Sequence, residues 1–241
     1  MIHREPTLLL TRPEPQSSEF LALCEKEVGQ RISAVISPLL RIVDVGDIPR
    51  LEDYRSLIFT SGHAVRRAGE AGVLNGRSVA TVGEGTAELA RTYGATAQAY
   101  GGELETFLAN CSDLADPCLH LRGGHTRGDL AARLEAMGKS ADEAIIYDQI
   151  SLPLMRAAQV LITSQDPIIA PLFSPRTAQL LSRAVGRHAD LTVVAMSRAV
   201  ADAARTIGEA HIAEAPTVGA MCASTITSLR QANLVDRPTD D

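Results

Sequence analysis

The chain has 241 residues, which suits two domains of about 100–150 residues better than one minimal fold. Hydrophobic residues make up 45% and charged residues 22%, an ordinary globular balance, and the net charge of −6 argues against the broad basic face that nucleic-acid binding needs. With no Trp, four Tyr and four Phe, the cores have to be built from Leu, Ile, Val and Ala, as suits sheets enclosed by helices.

The opening Met1-Ile2-His3-Arg4-Glu5-Pro6 carries no apolar core of a signal peptide, and no run approaches the roughly eighteen apolar residues of a membrane span. A cytoplasmic protein with no membrane partner is expected, with Cys24, Cys111, Cys118 and Cys222 as free thiols.

In chain order, Thr7–Thr11 reads as a buried strand. Glu14–Val28 then places Phe20, Leu23, Cys24 and Val28 on one helical face, and Gly29 follows where a helix end turns left-handed. Strands are predicted at Ile32–Ser37, Leu57–Thr60, Val79–Val82, Cys118–Leu121, Ile168–Phe173 and Thr192–Met196. Helices closing on glycine are predicted at Gly85–Tyr93 before Gly94, Gly128–Met137 before Gly138, and Arg198–Ile207 before Gly208. Leu154–Gln165 admits a strand at Val160-Leu161-Ile162-Thr163 or a helix with Met155, Ala158 and Ile162 on one face. The helix is preferred because Ile168–Phe173 is the better strand. Strand–helix alternation of this kind predicts an α/β fold with parallel sheets covered on both faces.

The chain also repeats itself. Phe59-Thr60-Ser61-Gly62-His63-Ala64 aligns without gaps on Phe173-Ser174-Pro175-Arg176-Thr177-Ala178, an offset of 114 residues, and the same offset lays Ala90–Gly94 on Ala204–Gly208. Two related copies divide near Pro117. Leu39–Val45 and Ala144–Leu152 alternate without a following helix, at equivalent places in the copies. If they cross as paired strands, residues 1–38 and 153–241 form one discontinuous domain, residues 46–143 form the other, and 39–45 and 144–152 are linker strands.

The usual chemical signatures are missing from the sequence. There is no G-x-x-x-x-G-K-[ST] and no G-x-S-x-G, and Gly83-Glu84-Gly85 lacks the third glycine of a dinucleotide turn. Cys111, Cys118, His120 and His125 are metal-ligating types. Without a C-x-x-C, and with Cys118 and His120 alternating with Leu119 and Leu121 as strand residues do, no metal is expected.

What recurs is a small, hydroxyl or arginine residue where a strand hands over to a helix: Thr11-Arg12-Pro13, Thr60-Ser61-Gly62, Val82-Gly83-Glu84 with Thr86 beyond it, Arg122-Gly123-Gly124, Ser174-Pro175-Arg176 and Ser197-Arg198. Each junction alone reads as an N-cap or turn. Together, with Arg12, Arg122, Arg176 and Arg198 among free helix N-termini, they point to a polyanion site at the carboxyl ends of the strands.

Leu10-Thr11-Arg12-Pro13, Pro38-Leu39-Leu40, Phe59-Thr60-Ser61-x-x-Ala64-Val65, Val82-Gly83-x-x-Thr86-Ala87, Arg122-Gly123, Tyr147 and Phe173-Ser174-Pro175-Arg176-x-Ala178 run in order from about Leu8 to Ser228. In this the chain resembles the uroporphyrinogen-III synthases. Two positions depart from the family pattern: His63 stands where an asparagine is often found, and Gly124-His125 replaces a more acidic stretch.

The resemblance implies two α/β domains joined by a two-stranded β-ladder, with the active site in the cleft between them. It also implies a cofactor-free, monomeric enzyme whose partner is a small molecule, a linear tetrapyrrole polycarboxylate, hydroxymethylbilane. Tyr147 matches the family's tyrosine and is the candidate catalytic proton donor. Thr11, Arg12, Thr60, Ser61, Gly83, Thr86, Arg122, Gly123, Ser174, Arg176, Ser197 and Arg198 are the candidate substrate-binding residues. A structural reading of Tyr147, as a β-favouring aromatic on a crossing strand packed beside Ile145 and Gln149, stays open. A non-catalytic two-domain binding module for an anionic small molecule, and a nucleotide-using transferase, are the rival functions.

Overall fold

The computed structural model describes residues 5–125, 129–186 and 191–235. In chain order the elements are β1 (Thr7–Leu10), α1 (Gln16–Val28), β2 (Ala34–Ile36), β3 (Leu40–Asp44), β4 (Ser56–Phe59), α2 (Gly62–Glu70), β5 (Ser78–Thr81), α3 (Glu84–Thr92), β6 (Thr96–Ala99) and α4 (Leu104–Asn110). There follow β7 (Cys118–Gly123), α5 (Leu130–Ala136), β8 (Ala141–Ser151), α6 (Arg156–Thr163), β9 (Ile168–Leu172), α7 (Pro175–Val185), β10 (Leu191–Ala195), α8 (Arg198–Ala204), β11 (Glu209–Ile212) and α9 (Val218–Val235).

These elements form two compact units, one of Met1–Arg41 with Ser151–Asp241 and one of Ile42–Ile150. The first holds a parallel sheet in the order β11-β10-β9-β1-β2. Its central strands β10, β9 and β1 are buried on both faces. Leu9, Ala170, Leu172, Val193 and Ala195 pack toward α6, α7 and α8, while Leu8, Leu10, Ile169 and Val194 pack toward α1 and α9. That even split of alternate residues is what a strand buried on both sides requires.

The second sheet runs β3-β8-β7-β4-β5-β6, with β8 through β6 parallel. Leu57, Phe59, Val79, Leu119 and Leu121 face α2 and α3, and Ile58, Ala80 and Cys118 face α4 and α5. Val45 N–H donates to Ile146 O at 3.1 Å and Leu152 N–H to Leu39 O at 2.9 Å, so β3 and β8 pair antiparallel. The chain leaves the first unit in β3 and returns to it at the end of β8.

Gly29 closes α1 at φ 76°, a conformation that a side chain disfavours, and its N–H bonds Glu25 O at 2.8 Å. Gly94 and Gly138 are left-handed as well, but Gly208 is not. The helix predicted to reach Ile207 stops at Ala204, because the chain turns there to bury Ile207 in the core and enters β11 directly. The predicted start of another helix at Gly128 lies outside the described residues. The stretch from Leu154 is helical, as α6.

Two of the described helices, α4 and α9, escaped sequence reading entirely. In α9, Thr225 and Ser228 are buried beside Met221, Cys222, Ile226 and Leu229, which blurs the apolar stripe. The Thr225 hydroxyl satisfies itself by donating to Met221 O at 2.7 Å, the local bond that lets a threonine be buried in a helix.

Leu9 is fully buried at the centre of the first sheet, whereas Ile145 in β8 is 45% exposed. Leu9→Ala is expected to cost about 2–5 kcal/mol, as buried leucine truncations do, and Ile145→Ala under about 1 kcal/mol. Urea denaturation of both variants checks this; similar losses would contradict the assignment of the two faces.

Candidate functional site

In the first sheet the chain steps from β1 to β2 in one direction and from β9 through β10 to β11 in the other, so strand order reverses between β1 and β9. In the second it steps from β4 through β5 to β6 one way and from β7 to β8 the other, reversing between β4 and β7. A crevice opens beyond the carboxyl ends of the strands at such reversals, and ligands of open α/β sheets bind there.

At the first reversal the pairing of β1 with β9 ends at Leu8 and Ile169, two residues before Pro171, which has no N–H to donate. Thr11 emerges here, 1% exposed, with a hydroxyl oxygen that has no hydrogen-bond partner. The Arg12 guanidinium stacks 4.1 Å above the Phe173 ring, itself edge-on to Phe20. Burial lowers the Arg12 pKa, with Glu19 opposing.

Ser174 caps α7, accepting from Thr177 N at 3.2 Å, and Arg176 stands half-buried in that helix's first turn. Ser197 begins α8 without capping it. Arg198 is exposed and pairs with Asp202 one turn on at 3.3 Å, so it is partly spoken for.

At the second reversal the exposed Thr60 hydroxyl lies 3.2 Å from Nε2 of the buried His120. Ser61 caps α2, accepting from His63 N at 3.2 Å. Gly83 caps α3 through its backbone, and Thr86 occupies the first turn of that helix. Arg122 is half-buried, forms an ion pair with Glu143 and donates to Gly123 O at 3.0 Å, so its charge is already balanced.

Tyr147 reaches this crevice through an irregularity in β8. Arg122 pairs with Ile145 but Gly123 with Tyr147, so a bulge falls between them. Ile146 and Tyr147 are consequently both buried, while Ile145 turns out to solvent. The expectation that Tyr147 packs beside Ile145 does not hold, since the bulge sends Tyr147 inward and Ile145 out.

The phenol ring packs directly against Gly123. A β-carbon there would sit 2.5 Å from the ring carbon bearing the hydroxyl, so position 123 admits glycine alone without displacing the ring. Burial raises the Tyr147 pKa, and its hydrogen bond with the Ser61 hydroxyl opposes that. The His63 ring stands 5.9 Å from the tyrosine ring, centroid to centroid.

The predicted residues thus gather in two groups. Thr11, Arg12, Ser174, Arg176, Ser197 and Arg198 sit at the strand ends of the first sheet, and Thr60, Ser61, Gly83, Thr86, Arg122, Gly123 and Tyr147 at those of the second. Sequence reading missed Phe173 as the platform for Arg12, Glu143 as the partner of Arg122, and His120 behind Thr60. Only Phe173 carried a signal, lying within a quoted motif. The Cys111 and Cys118 thiols donate to the carbonyls of Leu108 and Ala115, and among the described residues no three His, Cys, Asp or Glu side chains are grouped to hold a metal. Among them, too, no helix is long and apolar enough to cross a membrane.

The family model for uroporphyrinogen-III synthase HemD matches residues 22–223. The fold is similar to that of uroporphyrinogen-III synthetase from Helicobacter pylori, at 17% identity and a TM-score of 0.69, covering 94% of this chain and 100% of that one. It is also similar to a mutant uroporphyrinogen III synthase from Thermus thermophilus, at 16% identity and a TM-score of 0.54, covering 96% and 100%. No curated protein matches at a significant level. At such identities the likeness to the solved structures speaks for the fold.

Burial pushes the His120 imidazole from its ordinary 6.5 down to about 4, with Arg122 adding to the shift and Glu143 opposing it. Between those values the unfolded chain binds a proton that the folded chain refuses, so stability rises with pH across the window. The contribution is complete above the unfolded value and is lost as pH falls toward the folded one; it amounts to on the order of 3 kcal/mol. Urea midpoints for the native chain and His120→Gln, followed from neutral pH downward, should converge in acid. Parallel curves would mean that His120 does not fold in as a neutral group.

Proposed function

Because the chain belongs to the uroporphyrinogen-III synthase family, we propose that it cyclises hydroxymethylbilane to uroporphyrinogen III, inverting the last pyrrole ring as it closes the macrocycle of tetrapyrrole biosynthesis. The terminal hydroxyl takes up a proton and departs as water, leaving an azafulvene cation. The substituted carbon of the last ring attacks that cation to form a spiro intermediate. This fragments and recloses with the ring turned over, and loss of a proton restores the pyrrole. The net change is loss of water, a cyclising lyase reaction.

The observation that carries this reading is the seat of Tyr147. Its phenol rests on Gly123 beside Ser61, at the carboxyl end of β7. A phenol is protonated near neutral pH and burial raises its pKa further, so it is a donor for the departing hydroxyl. The substrate's electron-rich pyrrole expels the oxygen largely unaided. The protein's larger task is to hold the chain so that the correct carbon attacks, which is catalysis by orientation.

Carboxylate arms suit the donors at the strand ends. Arg12, desolvated over Phe173, is the cation best placed for them, and Arg122, balanced by Glu143, serves to hold Gly123. Thr11, Ser174, Ser197 and Thr86 add neutral donors, and Gly83 a backbone approach. On this reading the chain works as a cytoplasmic monomer on a small molecule, with no nucleic-acid or membrane partner.

The test is incubation with freshly made hydroxymethylbilane and separation of the type III from the type I isomer. Tyr147→Phe should lower kcat roughly 5- to 100-fold, at the low end of the range for a positioned acid, and leave type III as the product. Full activity would make Tyr147 structural, and a shift toward type I would make it a positioning group.

Arg12→Ala should raise KM by the equivalent of about 1–3 kcal/mol, the value of a charge-assisted contact, with a smaller effect at high salt. Arg198→Ala should do less, since that side chain is exposed and already paired. Steady-state kinetics of the two variants side by side decide it, and an unchanged KM in Arg12→Ala would remove that residue from the site.

A further inference from the structure

Thr60 and His120 meet where the order of the second sheet reverses. His120 lies on β7 in register with Ile58 of β4, and Thr60 follows β4 on the same face. The imidazole is 3% exposed; its Nε2 lies 3.2 Å from the Thr60 hydroxyl oxygen, and its buried Nδ1 has no hydrogen-bond partner. The Thr60 side of this pair opens to solvent.

We propose that His120 is a positioning residue that fixes the Thr60 hydroxyl as a hydrogen-bond donor to a substrate carboxylate. The inference rests on the functional reading above for the identity of that carboxylate.

The argument turns on where the single N–H of the neutral ring lies. Placed on Nδ1, it would be a buried donor with no acceptor, the arrangement that folded proteins most avoid. Placed on Nε2, it donates to Thr60 and leaves on Nδ1 only an unused lone pair, which is better tolerated. A hydroxyl that accepts from His120 cannot also donate to it, so the Thr60 hydrogen is directed away, toward the crevice. The group then offers a neutral donor and suits a ligand atom that only accepts, as a carboxylate oxygen does. Thr60 would otherwise rotate freely between donating and accepting.

Long-range proton–nitrogen correlation spectra of the native protein give the tautomer directly and need no activity. The Nε2–H form is expected, and an Nδ1–H form at His120 would overturn the proposal. In the hydroxymethylbilane assay, His120→Leu should raise KM about 3- to 10-fold, because Thr60 keeps its hydroxyl but loses its fixed direction, with kcat nearly unchanged.

His120→Gln, which keeps an N–H at similar reach, should recover most of the affinity. Thr60→Val, which removes the donor itself, should cost at least as much as His120→Leu, and the double variant should be no worse than Thr60→Val alone. Additive effects would mean that His120 acts on something other than Thr60. If His120→Leu does not fold, the glutamine variant, Thr60→Val and the spectra still decide the matter. A native protein that shows the Nε2–H tautomer but does not cyclise the bilane would overturn the functional reading and leave the His120–Thr60 geometry standing.

Discussion

A parallel strand can return to its sheet only through a crossover, and crossovers are right-handed. That rule ties the direction in which a chain steps across a sheet to the face its helices cover. In the first unit α1, crossing from β1 to β2, covers one face, while α7 and α8, crossing the opposite way from β9, cover the other. In the second unit α2 and α3 lie on one face and α5 on the other for the same reason. Where the steps diverge, adjacent strands send their chains to opposite faces, which leaves a crevice beyond their carboxyl ends. The candidate site residues border those gaps.

The side chains at the gaps are set by their surroundings more than by their type. Arg12 and Arg122 are both arginines at strand ends, yet one is stacked on an aromatic ring and the other is held by Glu143. Removing the first would take away a cation available to a ligand, whereas removing the second would leave a carboxylate unbalanced and loosen Gly123. Tyr147 and His120 are both pressed toward their neutral forms by burial. At each sheet's reversal the side chains are mostly neutral donors, and Arg12 is a cation desolvated by its burial.

Much of the fold was legible. Parallel strands buried on both faces give continuous apolar runs, and Leu8-Leu9-Leu10 and Ile168–Leu172 read as strands on that account. Gly29, Gly94 and Gly138 announced helix ends because they take a backbone conformation that other residues disfavour. Gly208 carried the same signal and misled, since burial of Ile207 ended the helix earlier. The helix α9 was hidden by buried hydroxyls, whose satisfaction by local carbonyls cannot be read from their polarity.

The sequence by itself determined the succession of strands and helices, the hydroxyl and arginine residues at their junctions, and the motif order that identifies the family. These are local properties, set by periodicity and backbone preference over a few residues. Only the tertiary structure decided which junctions became neighbours, that a bulge turned Tyr147 inward onto Gly123, that Phe173 lay under Arg12, and that Glu143 claimed Arg122. Each of those depends on contacts between residues twenty or more positions apart, such as Arg122 with Glu143 and Thr60 with His120. Such contacts follow from sheet order and strand register, which a one-dimensional pattern does not carry.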